Sequence, residues 1–272
     1  MKLTILVDNY VPNQNDLLGE PSFSCYIEDE GLKILFDTGL SGTPLRNARR
    51  LKIDLSAVDY IVLSHGHLDH TWGLERYARA FAGRGRKKLL CHPDALKPKK
   101  YGRANIGIKG TERDLERRFE VIRTREPYWL SDKIVFLGEI ERTTAFENLA
   151  PLGKTKVDGA YAEDFLLDDS ALAVDTGEGI VIITGCSHSG ICNIVEHAKK
   201  VLKRDDVRMV IGGFHLQPED SHDELLTRTR DYLGKADIGM LYPCHCTNLL
   251  SKLEIAKVAR VGEAGSGTRI EF

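Results

Sequence analysis

Apolar residues along the chain fall into short runs, rich in β-branched and aromatic side chains and bounded by Gly, Asp or Asn. Such runs predict strands at 3–8, 23–27, 32–36, 60–63, 134–137, 171–174, 180–183, 209–211, 240–242 and 268–272. The first four read as hairpins, because Glu28-Asp29-Glu30-Gly31 is a short polar turn between two of them. A helical period takes over elsewhere. Leu74, Tyr77 and Phe81 share one face; Ile191, Ile194, Val195, Ala198 and Leu202 form a second stripe; Leu225, Leu226, Thr229 and Leu233 form a third. Meanders early and strand–helix alternation later predict an α/β (α+β) fold of layered sheets flanked by helices.

No internal repeat or Pro/Ser-rich linker divides the chain, so a single domain over 1–272 is expected. The basic, Gly- and Lys-rich stretch at about 96–129 reads as an insertion or lid within it. With 272 residues, 42% hydrophobic and 29% charged, the composition is that of a globular protein with a sizeable core. No apolar run approaches the roughly 18 residues of a membrane helix, and the start MKLTILVDNY has neither a basic n-region nor a long apolar h-region. A cytoplasmic protein is expected, with no membrane or nucleic-acid partner and with homo-oligomerisation left open. Six Cys are too sparse for a disulfide scaffold and are expected to be reduced.

Net charge is only -2, but it is uneven. From Arg76 to Arg125 there are 16 Lys/Arg against 5 Asp/Glu, an arrangement that suits an anionic small-molecule substrate as well as a merely solvated face.

Candidate chemistry concentrates in Ser64-His65-Gly66-His67-Leu68-Asp69-His70, which follows a predicted strand and precedes a predicted helix. Three His and an Asp buried without partners would be costly, and a metal site supplies the partners. In near-extended backbone the i, i+2 pair His65 and His67 faces one point, while Asp69 and His70 come after the turn and reach a second. Two metals about 3.5–4 Å apart form the arrangement that clamps attacking and leaving oxygens. Further candidates stand at later strand ends: Cys186 and His188 after 180–183, His215 after 209–211, and His245 after 240–242. His92 is a weaker candidate, and His197 and His222 read as helix or surface residues. Cys25, Cys91 and Cys192 read as small buried hydrophobes. Cys244 and Cys246 flank His245, where packing and thiol ligation both stay open.

The string HGHLDH resembles the HxHxDH signature of the metallo-β-lactamase superfamily, and Asp37-Thr38-Gly39 looks like that superfamily's second motif. The resemblance covers essentially the whole chain and implies a four-layer αβ/βα sandwich holding one or two metals at a sheet edge. More narrowly, Thr184–Gly190, Gly212-Gly213-Phe214-His215 and Pro243–Thr247 resemble the branch of 7,8-dihydropterin-6-methyl-4-(β-D-ribofuranosyl)-aminobenzene-5'-phosphate synthase.

Carried over by position, the resemblance implies His65 and His67 on the first metal, Asp69 and His70 on the second, and His245 as the last metal His. One departure stands out. The Gly-Asp pair of hydrolytic members is Gly185-Cys186 here, and no His lies between His92 and His188. His188 is the best substitute ligand, and Cys186 is either a thiolate ligand or a space filler. A thiolate favours Zn or Fe over Mn or Mg, so Zn²⁺ is the expected ion, with Fe, Mn and Mg as alternatives. Asp69 and His215 are the catalytic candidates, His215 as a general acid or substrate contact. The implied activity is a transferase joining a pterin methyl diphosphate to an aryl ribose phosphate. The alternative is a hydrolase of phosphoesters or carboxylic esters using a metal-bound hydroxide.

Overall fold

The structure is a computed structural model that describes residues 1–12 and 16–272. It comprises two compact units, one of Met1–Arg125, Pro151–Asp168 and Gly265–Phe272, the other of Glu126–Ala150 and Asp169–Ala264.

The first unit holds a seven-stranded sheet in the order β17-β1-β2-β3-β4-β5-β8. Its strands are β1 (Lys2–Val7), β2 (Ser24–Asp29), β3 (Leu32–Phe36), β4 (Tyr60–Val62), β5 (Lys87–Cys91), β8 (Phe119–Arg123) and β17 (Arg269–Glu271). β17, β1, β2 and β3 are mutually antiparallel neighbours, and the β2–β3 hairpin turns at Glu30 and Gly31, both at positive φ. The fourth predicted strand departs from the expected hairpin. β4 lies parallel to β3, with Ile34 opposite Tyr60, because helix α1 (Thr43–Arg50) and a 3-10 turn at Leu55–Ala57 carry the chain back across the sheet. β4, β5 and β8 continue parallel, so their carboxyl ends share one edge.

Helix α2 is the single turn Leu68–Thr71, and α3 (Leu74–Ala80) buries its predicted face, Leu74, Tyr77 and Phe81, against Leu35, Ile61, Leu63 and Leu89. The basic stretch is woven into this unit. β6 (Lys99–Tyr101) and β7 (Ala104–Asn105) join β11 (Lys154–Val157) and β12 (Ala160–Glu163) in a four-stranded sheet, while α4 (Glu112–Arg118) leads into β8 of the large sheet. Much of its charge is neutralised locally: Arg123 pairs with Glu112 and Glu116, Arg125 and Lys97 with Asp94, and Arg79 with Glu75.

The second unit holds a six-stranded sheet in the order β16-β15-β14-β13-β10-β9. These are β9 (Tyr128–Trp129), β10 (Ile134–Phe136), β13 (Ala171–Asp175), β14 (Ile180–Thr184), β15 (Val207–Gly213) and β16 (Met240–Cys244). β9 to β14 pair antiparallel, and β14, β15 and β16 run parallel. Helices α5 (Ile191–Leu202) and α6 (Glu224–Lys235) form the two parallel crossovers and bury Ile191, Ile194, Val195, Ala198, Leu226 and Leu233 in the core. A further helix, α7 (Leu249–Ala256), escapes the stripe reading because Leu249 and Leu253 are exposed while Ser251 and Glu254 are buried. Among the described residues, no helix is long and apolar enough to cross a membrane.

Candidate metal centre

In each unit the parallel strands deliver their following loops to one sheet edge, where the candidate ligands stand. In the first unit β4 runs into Ser64 and the histidine string. His65 and His70 are fully buried and His67 nearly so, while the Asp69 side chain is 24% exposed. The His65 ring lies 4.7 Å from that of His67 and 4.3 Å from that of His70, centroid to centroid.

A buried carboxylate, Asp37 at the end of β3, organises these rings. Its Oδ1 accepts from the Ser64 backbone N–H at 2.7 Å, and its Oδ2 accepts from the Ser64 hydroxyl at 2.7 Å and from His70 Nδ1 at 2.6 Å. Because the one hydroxyl proton of Ser64 goes to Asp37, the 2.9 Å contact between Ser64 Oγ and His65 Nδ1 requires the ring N–H to donate. Both His65 and His70 thereby present Nδ1–H to these oxygens, which leaves Nε2 as the atom that can coordinate an ion once it carries no proton.

His67 is kept neutral by burial, which lowers its pKa to about 4 against the opposing pull of Asp168. Burial also disfavours charge on His70, but the Asp69 and Asp37 carboxylates outweigh it and raise that pKa. The Asp69 and Asp37 carboxylates thus favour a positive charge at this cluster, one that a proton on His70 or a bound cation can supply. Three imidazoles and a carboxylate so oriented fit a divalent ion.

Gly66, between the two leading histidines, must be glycine: a Cβ there would stand 2.3 Å from the Ala95 carbonyl oxygen. Its N–H donates to Asp168 Oδ2 at 2.8 Å. Asp168 Oδ1 and Asp164 in turn accept from the buried Lys99 ammonium at 2.8 and 2.7 Å. Lys99 thus connects β6 to the backbone of the histidine loop.

In the second unit the loops after β14, β15 and β16 are tied together. Ser187 Oγ donates to the Gly213 carbonyl at 2.6 Å, Gly213 N–H to Gly185 O at 2.9 Å, and Phe214 N–H to Thr247 Oγ1 at 2.9 Å. The ring of His188 lies 4.3 Å from that of His215. His188 and Cys186 are buried, His245 is half-buried and His215 is exposed. His215 and His245 both adopt positive φ, 49° and 48°, uncommon for a residue other than glycine. Asp169 Oδ2 fixes Ser189 by accepting from its N–H at 2.8 Å and its hydroxyl at 2.6 Å. Glu147 accepts from the N–H groups of Cys192 and Asn193 at the start of α5, both at 2.9 Å.

The weaker histidines have structural roles. His92 Nδ1 accepts from the Asp94 N–H at 3.1 Å and its Nε2 lies 3.0 Å from Arg125. His197 bridges Leu137 O and the Glu141 N–H, and His222 is 93% exposed.

Residues 17–245 match the family model of the metallo-beta-lactamase superfamily. The chain belongs to that superfamily. Among superfamily relatives it is 34% identical to the uncharacterized protein MJ0448 of Methanocaldococcus jannaschii, across 94% of each chain. It is 33% identical, over 83% of this chain and 80% of the other, to 7,8-dihydropterin-6-methyl-4-(beta-D-ribofuranosyl)-aminobenzene-5'-phosphate synthase of the same organism. The crystal structure of Tm1679, described as a metal-dependent hydrolase of the beta-lactamase superfamily, superposes with a TM-score of 0.85 at 28% identity, covering 100% of this chain and 99% of that one. The mixed α/β architecture is thus the metallo-β-lactamase fold, with candidate His, Asp and Cys metal ligands in both units.

Asp37 entered the sequence reading only as part of a motif, and Ser64, Lys99, Asp168, Asp169 and Glu147 had no assigned role. Their partners lie far along the chain, as with Lys99 and Asp168, 69 residues apart, so no local spacing reports them.

Proposed function

We propose that this superfamily member is a metal-dependent enzyme that acts on a phosphorylated or diphosphate small molecule, joining a pterin methyl diphosphate to an aryl ribose phosphate. The carrying observation is the 33% identity to the dihydropterin synthase over most of both chains. In this reaction the aryl ribose phosphate forms a bond to the pterin methylene carbon, the carbon–oxygen bond to diphosphate breaks, and diphosphate leaves with the electron pair.

The ligands we assign are, within the first unit, His65, His67, Asp69 and His70 and, within the second, His188, His245 and Cys186, with Zn²⁺ preferred over Fe, Mn and Mg. When bound, such an ion supplies Lewis acidity that neutralises charge on the departing oxygen. The remaining work falls to the chain. Asp37 fixes the rings of His65 and His70, and burial keeps His67 neutral. Asp69, the carboxylate of the string that is partly open, orients the attacking group and receives its proton. The excess of basic residues between Arg76 and Arg125 supports an anionic small molecule as substrate, met in the cytoplasm and without nucleic acid or membrane.

The second reading is hydrolysis of a phosphoester or carboxylic ester, favoured by the 28% identity to a metal-dependent hydrolase. Metal-loaded protein should be given pterin methyl diphosphate with and without the aryl ribose phosphate, and separately a generic phosphodiester and a carboxylic ester. Diphosphate release that needs both substrates supports the transferase. Steady turnover of phosphodiester or ester without an acceptor overturns it in favour of the hydrolase.

A further inference from the structure

The geometry points to a second metal site, contained wholly in the second unit and built from the thiolates of Cys186 and Cys246 and the imidazole of His215, with Zn²⁺ as its ion. It goes beyond the proposed reaction and needs no ligand from the first unit. Cys186 also appears among the ligands proposed above, and a thiolate can serve two ions; Cys246 and His215 belong to this site alone.

The three residues come from three different loops, after β14, β15 and β16, yet one ligand atom from each lies within 4.8 Å of the other two. Ligands 2.0–2.3 Å from a tetrahedral zinc stand roughly 3.3–3.8 Å apart, so only a small contraction closes the set. Two sulfurs and one imidazole form a soft donor set that favours Zn²⁺ over Mn²⁺ or Mg²⁺ and leaves a fourth position open.

The surroundings are those of a sulfur held for ligation. The His215 backbone N–H donates to Cys246 Sγ at 3.3 Å, the kind of hydrogen bond that supports a thiolate. The same sulfur lies 3.6 Å from the Cys186 carbonyl, a contact it makes as a donor while it carries a proton. Gly213 leaves the space the sulfur needs: a Cβ there would stand 2.5 Å from Cys246 Sγ and 2.6 Å from Gly185 O. His215 completes the set from a left-handed backbone at φ 49°, a conformation that costs a non-glycine residue of order 1–3 kcal/mol. A cysteine that only filled space would need neither the converging N–H nor the strained histidine beside it.

The full chain carrying His65→Ala, His67→Ala, Asp69→Ala and His70→Ala, which removes every first-unit ligand proposed above, should be titrated with Co²⁺. The expected result is one Co²⁺ per chain with sulfur-to-cobalt charge-transfer absorption, displaced by Zn²⁺. Adding Cys246→Ser should cut that absorption by about half or more and weaken binding by at least about tenfold, the loss that even an outer-shell partner causes; adding His215→Ala should weaken binding comparably. In the unmutated protein Zn²⁺ should protect Cys186 and Cys246 from alkylation while leaving Cys25, Cys91 and Cys192 unaffected. This measurement decides the matter even if the variants do not fold. No charge-transfer absorption, a band unchanged by Cys246→Ser, or no zinc protection of Cys246 would overturn the site. Because the readout is sulfur ligation and not turnover, failure of the proposed reaction leaves this test intact.

Discussion

Asp37 Oδ2 accepts a 2.6 Å hydrogen bond from His70 Nδ1, both side chains being fully buried, and the same oxygen accepts the Ser64 hydroxyl that receives the His65 ring N–H. One carboxylate thereby orients the Nδ1–H of two imidazoles. Asn at position 37 keeps an acceptor and tolerates the positive φ of 56° found there. Asp37→Asn should therefore fold but lose about 10–100-fold in metal affinity, as outer-shell partners of ligating histidines do. Competition against a chromophoric chelator measures this, and wild-type affinity would show that the relay does not matter.

Acid should destabilise the metal-free protein through His67. Its folded pKa, about 4, lies below the ordinary 6.5 because the ring is buried. Between those values the unfolded chain binds a proton there and the folded chain does not. The contribution is fully present above pH 6.5 and is lost as the pH falls toward 4, amounting to about 3 kcal/mol. Urea unfolding at pH 7 and pH 5 should show a smaller loss on acidification for His67→Gln than for the wild type; equal losses would rule out His67 as the source.

Lys99 is buried between Asp164 and Asp168, and its removal leaves two buried carboxylates without their cation. Lys99→Met should cost about 3–5 kcal/mol in chemical unfolding. It should also loosen the Gly66 backbone that Asp168 holds, seen as faster amide exchange in residues 65–70. A loss below about 1 kcal/mol would mean that the carboxylates find water instead.

His67→Ala and His245→Ala should each lower bound metal in elemental analysis of purified protein, whereas His197→Ala should not, since His197 bridges Leu137 and Glu141. Full metal in both site variants would sink the ligand assignment.

Much of this was legible along the chain. The strands at 171–174, 180–183 and 209–211 and the stripes of α3, α5 and α6 stand where periodicity put them, because burying one apolar face dictates both the spacing and the element. Several strands were not read. β5 begins with two lysines, and β11 and β12 are polar and largely exposed, so hydrophobicity gave no signal. A turn signal was nonetheless present at Asp158-Gly159, whose φ values of 48° and 87° are those an Asp-Gly hairpin requires. The parallel direction of β4 was hidden as well, since an apolar run has the same composition whichever way its neighbour points.

For the site, the sequence by itself determined the chemistry of the donors: the density of His and Asp at 65–70, the histidines at later strand ends and a cysteine at 186. Tertiary structure alone decided how those donors are held. Asp37 meets His70 from 33 residues away, Lys99 reaches Asp168 across 69, and Cys246 lies beside the His215 backbone from 31. The physical reason is that a ligand's identity is local, whereas its tautomer, charge and aim depend on groups that only the folding of separate strands and loops brings within hydrogen-bonding distance.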